Sequence, residues 1–406
     1  MRILTAATEI HDSVAAVADL AERIVTGLDG PPDFLLLAYG EGHDPHLLRS
    51  QFAAHFPQTV LLGSSTCRGV MTGEGLFGFR KPVLGGAAFV DPDAAFGTAT
   101  LTLDGDVQAA IKNAIETAQA AADRRGEVPD MVWLHASPGT EETVICGVQE
   151  SLGSNVLISG GSSADETIGG KWSQFNTDAI AGDAVIALIY TDLPVTHHFQ
   201  NGYLPSNFKG EITRAEGRVL HEIGGRPAAE VYNEWTGGRI TDALADRSKN
   251  ILGDSAWHPL GKSIGRVGPS PELMVDCYCL LHPDSVGPNG ELHLFANVSE
   301  GSQVVLMNSG PQELIKRSTQ VVRISMEMMQ EEAPIAGGLM VFCAGCMLAL
   351  GDDIALAAEA IGEAYSNVPF LGVFTFGEQG SFLNGDRLHG NLMISSSLFA
   401  GDAEVP

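Results

Sequence analysis

The chain has 406 residues, 44% of them hydrophobic, and its 50 acidic against 23 basic side chains give a net charge of −27. That balance repels nucleic acid and anionic lipid, so neither is an expected partner. The length provides apolar material for one large or two ordinary domains. No apolar run reaches the roughly 20 residues that a bilayer requires, so no membrane insertion is expected. The N-terminus lacks the basic head and apolar core of a signal peptide, and a cytoplasmic protein is expected.

From the N-terminus onward the chain writes one passage three times, at residues 33–75, 130–170 and 338–380. Each copy is an apolar strand, a small-residue loop, a helix, and a second apolar strand ending at glycine, followed by serines or a carboxylate. Repetition on this scale sets the fold before any finer reading. A helix-like stretch precedes each copy, at residues 13–28, 107–124 and 311–332, and a strand-like run follows it, at 83–90, 184–190 and 391–399. Short apolar runs bounded by Gly, Asp and Pro predict the strands, and three-to-four spacing predicts the helices. Leu47, Leu48, Phe52 and Phe56 are predicted to share one face, as are Ile354, Ala358, Ile361 and Tyr365.

The expected fold is α/β and two-lobed, built from three strand-loop-helix-strand repeats with an extra α+β insertion ahead of the third. Strand order is not readable. The polar stretch 197–205, with Asn201-Gly202, marks the expected boundary, dividing the chain into 1–201 (two repeats) and 202–406 (inserted module plus third repeat). Within the module, residues 210–222 read as a hairpin, 227–235 as a helix with Pro near its start, and 275–281 and 292–298 as strands.

The six cysteines, Cys67, Cys146, Cys277, Cys279, Cys343 and Cys346, mostly interrupt apolar runs and read as buried thiols. Cys343 and Cys346 have dithiol spacing, but a redox motif of that kind opens a helix, and here the chain continues as Met347-Leu348-Ala349-Leu350. With no second such pair, a four-cysteine zinc site is not expected.

Chemistry is expected where the second strand of each repeat ends, because crevices beyond strand ends in α/β sheets are lined by loop N–H groups and small polar side chains. The candidates are Ser64, Ser65 and Thr66; Ser162, Ser163 and Asp165; and Thr375 and Glu378 beside Gly377. A basic residue follows each group: Arg80, Lys171 and Arg387. These suit a carboxylate ligand, or they balance nearby carboxylates. The expectation is a small polar ligand, an amino acid or carboxylate, held between the repeats near Ser64, Ser163 and Arg387. A Ser-dependent hydrolase of a small amide or ester is an alternative, with serines near Lys171 or Lys81. No GxSxG, SxxK, HExxH or Walker pattern supports it.

Residues 224–232 (Gly224-Gly225-Arg226-Pro227-Ala228-Ala229-Glu230-Val231-Tyr232), 300–307, 342–345 and 369–378 resemble the successive signatures of the FIST C domain. Leu62-Gly63-Ser64-Ser65-Thr66-Cys67 and Gly160-Gly161-Ser162-Ser163-Ala164-Asp165 resemble those of FIST N. The resemblance implies a sensory module for small ligands such as amino acids, often joined to kinase, cyclase or methyl-accepting output domains. With no output domain expected here, a separate signalling partner such as a histidine kinase or cyclase is implied. Some bacterial relatives resemble haem-binding nitric oxide sensors, which makes haem b the cofactor to consider. His389, in the terminal motif, and His135, at a strand end, are the candidate axial ligands, while His197 and His198 fall in the expected linker. The chain departs from the family pattern at Cys67-Arg68-Gly69, where a carboxylate is common, and after His389, where Gly390-Asn391-Leu392 replaces Asn-Gln-Thr.

Overall fold

The computed structural model describes residues 1–246, 249–267, 275–330 and 333–401. The first repeat runs β1 (Arg2–Thr8), α1 (Ser13–Leu28), β2 (Phe34–Tyr39), α2 (Pro45–His55), β3 (Val60–Ser65), the hairpin β4 (Val70–Thr72) and β5 (Gly75–Phe77), and β6 (Leu84–Val90). The second runs β7 (Ala95–Leu101), α3 (Val107–Ala121), β8 (Met131–Ala136), α4 (Glu141–Leu152), β9 (Ile158–Gly161), β10 (Gln174–Asn176) and β11 (Ala184–Tyr190). The third opens with β12 (Val195–Asn201) and is then interrupted by the module. That module comprises β13 (Leu204–Glu216), β14 (Val219–Ile223), β15 (Arg226–Pro227), α5 (Ala228–Trp235), α6 (Thr241–Ala245), α7 (Leu252–Ser255), β16 (Leu260–Val267), β17 (Val275–Leu281), β18 (Pro283–Val286), β19 (Leu292–Leu294) and β20 (Gln303–Asn308). The repeat resumes with α8 (Pro311–Gln330), β21 (Ile335–Cys343), α9 (Ala344–Leu350), α10 (Ile354–Tyr365), β22 (Phe370–Thr375), the hairpin β23 (Glu378–Ser381) and β24 (Arg387–Gly390), and β25 (Met393–Ala400).

The three repeats build three sheets of one design. Their orders are β1-β6-β2-β3, β7-β11-β8-β9 and β12-β25-β21-β22, with the inner pair β2 and β3, β8 and β9, or β21 and β22 parallel around a helical crossover. Each sheet is then extended by strands from another repeat. β10 of the second repeat pairs with β3, the β23–β24 hairpin of the third pairs with β9, and the β4–β5 hairpin of the first pairs with β22. The exchange closes in a circle.

Alternation along each strand decides which side chain meets which layer. Phe34, Leu36 and Ala38 join Met131, Trp133, Val185, Leu339 and Val341 in one core drawn from all three sheets. Leu35, Leu37 and Tyr39 point the other way, onto α1 and α2. The outer face of the second sheet is covered by α3 and α4, and that of the third by α8 to α10 together with module residues such as Cys279 and Met307. Helices α1, α2 and α3 are started by Asp12, Asp44 and Asp106, whose carboxylates accept backbone N–H bonds of the first turn. Among the described residues no helix is long and apolar enough to cross a membrane.

Several local expectations change. His197 and His198 lie within β12, bonded along β25, and not in a polar linker. Leu47 is exposed, because α2 turns Leu48 and Phe52 inward and the adjacent position points about 100° away. The predicted strand 292–298 stops at Leu294, since beyond it the N–H groups of Asn297 and Val298 leave the ladder for Glu142 and Gly217. Cys343 does open a helix: it ends β21 and is the N-cap of α9, so the chain past the Cys343–Cys346 pair is helical, contrary to the expectation. The predicted helix 311–332 forms as α8, and its last two residues lie outside the described residues.

Candidate functional site

The small-residue loops predicted as ligand sites are packed inside the protein and hold the repeats to one another. The hydroxyls of Ser64 and Ser163 meet at 2.8 Å across the seam between the first two repeats. Ser65 Oγ accepts the N–H of Ser173, while Thr66 Oγ1 donates to Gly69 and accepts from Phe374 N–H. These three and Ser162, Ser163, Thr375 and Glu378 are all buried. Both carboxylate oxygens of Asp165 are taken by backbone N–H groups of Thr167, Gly169 and Lys171. Burial alone would raise its pKa, but those donors hold it below the usual value.

The basic residues do not converge on these loops. Arg80 pairs with Asp352 at 3.0 Å, and Lys171 pairs with Glu41 at 2.5 Å. Arg387 donates to the carbonyls of Val156, Asn155 and Gly385. His135 has both ring nitrogens engaged: Nε2 accepts from Trp133 Nε1 at 2.9 Å, so Nδ1 donates to the Gly161 carbonyl at 3.0 Å. Burial lowers its pKa from 6.5 to about 4. No lone pair is left there for an iron.

Glu378 is the buried carboxyl that the strand-end pattern singled out. Thr375 Oγ1 donates to it at 2.9 Å and Met393 N–H at 3.0 Å. Burial, with Cys343 beside it, pushes its pKa well above the ordinary value, against the two donors that favour the charged form.

A cavity of about 260 Å³ lies one layer farther out, where the second and third repeats face the inserted module. Its lining comes from widely separated loops: Pro138 and Gly139 before α4, Ile168 and Trp172 before β10, Arg218 in the β13–β14 turn, His282 after β17, Phe295 after β19, and Cys343, Phe376 and Asn391 from the third repeat. A mostly apolar concavity with a few convergent polar groups is the usual form of a small-ligand site. A larger open groove, about 590 Å³, runs between α3 and α4, but surface side chains such as Asp106, Lys112, Glu116 and Glu150 line it.

Aromatic rings set the shape of the cavity. Trp172 and Phe376 stand nearly perpendicular, 87° apart with centroids at 6.2 Å, and Phe295 lies edge-on to His282 at 6.0 Å. His282 Nε2 faces the Leu252 carbonyl at 3.2 Å and must donate to it, which leaves Nδ1 as an acceptor. Burial lowers the His282 pKa to about 4, so the ring is neutral at neutral pH. Asn391 accepts the backbone N–H of His282 on its side-chain oxygen, and its NH₂ group has no protein partner.

The polar edge is a carboxylate and guanidinium cluster. Glu141, the first residue of α4, accepts from Ser162 Oγ at 2.7 Å, from Gly139 N–H at 2.7 Å and from Arg218 at 2.8 Å. The same Arg218 nitrogen reaches Glu142 at 2.5 Å, and Glu142 also accepts from Asn297 N–H. Burial would raise the Glu141 pKa; His389, Arg218 and Ser162 outweigh it and keep the group ionised. His389 Nε2 donates to the Phe295 carbonyl, and the ring packs so closely on Gly377 that a Cβ there would lie 2.2 Å from its Cε1. Glu141, Glu142 and His389 place one ligand atom each within 4.8 Å of one another, the geometry a metal ion would need. Arg218 already offsets charge on both carboxylates there.

Ser162 is thus the one predicted site serine that touches this edge, through Glu141. Glu141, Trp172, Arg218, His282 and Phe295 were not anticipated. The sequence signal available for them was slight: a Glu141-Glu142 pair opening a helix just after Pro138-Gly139, where anionic side chains also serve the helix dipole.

Residues 33–226 match the FIST N domain family and residues 228–381 the FIST C domain family. No curated protein matches the chain. A cyanuric acid hydrolase from A. caulinodans is similar over 49% of this chain and 72% of its own, at 14% identity and a TM-score of 0.28, too low to bear on fold or activity.

Proposed function

This chain belongs to the FIST family, and from that premise we propose that it senses a small ligand bound in the cleft between the inserted module and the second and third repeats. FIST domains are associated with small-ligand sensing in signal transduction. The observation that carries the reading is the cavity itself, apolar and aromatic, with the Glu141–Arg218 ion pair along one edge. A ligand there touches the module and two repeats at once, so its binding energy bears on how firmly they are held together. The message then passes to a separate signalling protein such as a histidine kinase or cyclase.

Nothing in the buried serines favours hydrolysis: Ser162 donates to Glu141 and Ser163 pairs with Ser64, and neither hydroxyl faces a base across an open site. The test is a thermal-shift screen of small metabolites, followed by calorimetry on Phe376→Ala. A hit whose affinity is unchanged by that variant removes the cleft from the reading.

A further inference from the structure

We propose that the cleft takes an organic cation, a small alkyl- or arylammonium group, and not the carboxylate that the basic residues suggested. The proposal rests on the cleft being the ligand site and specifies the chemistry of its occupant.

Three aromatic rings, Trp172, Phe295 and Phe376, form walls, and the first and third of these meet nearly at a right angle. Ring faces carry negative potential, so such a corner attracts a cation, most strongly when water is excluded. Arg218 is the only cation lining the cavity among the described residues, and Glu141 and Glu142 both hold it. Glu141 lines the cavity beside it, so the lining carries no unbalanced positive charge.

A carboxylate ligand would meet an arginine whose charge Glu141 and Glu142 already offset, and would lie beside those two anions. An ammonium group displaces nothing. It can lie against the rings and leave the Glu141–Arg218 pair in place. His282 offers no opposing charge: its ring is neutral and its Nδ1 is an acceptor, 3.6 Å from the position a Cβ on Gly345 would take. The net charge of −27 further enriches cations near the protein.

Calorimetry with three matched probes tests this: choline, its uncharged carbon isostere 3,3-dimethylbutanol, and 3,3-dimethylbutyrate. Choline is expected to bind about tenfold tighter than the isostere, the carboxylate not at all, and Trp172→Leu to weaken choline by about tenfold while Trp172→Phe restores most of it. Equal binding of the isostere, or preference for the carboxylate, overturns the cation assignment and leaves the cleft as the site. Choline binding that both variants leave unchanged overturns the cleft reading as well. Absence of binding by all three overturns the cation assignment.

Discussion

Arg218 reaches Glu141 at 2.8 Å from a turn of the inserted module, tying that module to the first residue of α4 in the second repeat. Removing the guanidinium leaves Glu141, whose side chain is 3% exposed, without its cation. Arg218→Ala is expected to lower the unfolding free energy by about 2–3 kcal/mol, measured by urea denaturation at pH 7. Arg218→Lys is expected to recover less than half, because an ammonium cannot reproduce the same shared geometry.

Acid should weaken the fold before the carboxylates titrate. Burial depresses the pKa of His135 to about 4, of His197 to about 3 and of His282 to about 4, from 6.5. A depressed folded-state pKa gives stability that is complete above the unfolded value and is lost as pH falls toward the folded one. Unfolding free energy is therefore expected to decline between pH 6.5 and about 4, and His135→Gln to flatten that decline; an unchanged slope in this variant would show that His135 does not contribute.

Glu378 has the opposite sign. Its folded pKa is raised, so the stability it contributes is present below the ordinary carboxyl value of 4.5 and is lost as pH climbs toward the folded one. Glu378→Gln, neutral at all pH, is expected to be at least as stable as the parent at pH 8 and to show a smaller loss between pH 5 and 8 in chemical denaturation.

The rim of the cleft depends on Asp165. Ile168, in the loop this carboxylate binds, holds a left-handed φ of 55°, unfavourable for a β-branched residue. Asp165→Ala is expected to cost about 2 kcal/mol and to speed amide hydrogen exchange at residues 167–171, with β2 unaffected. Protection retained at those amides would mean that the loop is held by other contacts.

At the seam of the first sheet, Gly63 on β3 faces Phe175 on the exchanged β10, and a Cβ on Gly63 would come within 2.4 Å of the buried ring. Gly63→Ala is expected to destabilise by about 1–3 kcal/mol through overpacking. Gly30→Ala, with open space around it, serves as the control in the same thermal melt.

The sequence showed the layers well and the site poorly, for one physical reason. Helices and strands are written in local periodicity, so β2, α2 and β3 could be read from residues 33–65, and the faces of Ile354, Ala358, Ile361 and Tyr365 are buried as their spacing predicts. The glycine and serine loops also stood out, because tight seams between repeats demand small residues. A seam and a ligand crevice ask for the same residue types, and burial alone separates them: Ser163 is closed off while Trp172 is partly open. The cleft is assembled from turns that no spacing connects, Arg218 and Glu141 lying 77 positions apart.

The circular exchange of strands also bears on how this chain is made. The β4–β5 hairpin is made long before its neighbour β22, and Thr66 and Phe374, bonded through the same junction, are 308 residues apart. Until then the hairpin has an edge without its final partner, and β9 likewise waits for β23. Cutting the chain between the two family regions, at residue 227, would separate β12 from β25 and β4 from β22. Neither piece then has a finished set of sheets, so the unit of folding is the whole ring, and closing it must await the third repeat.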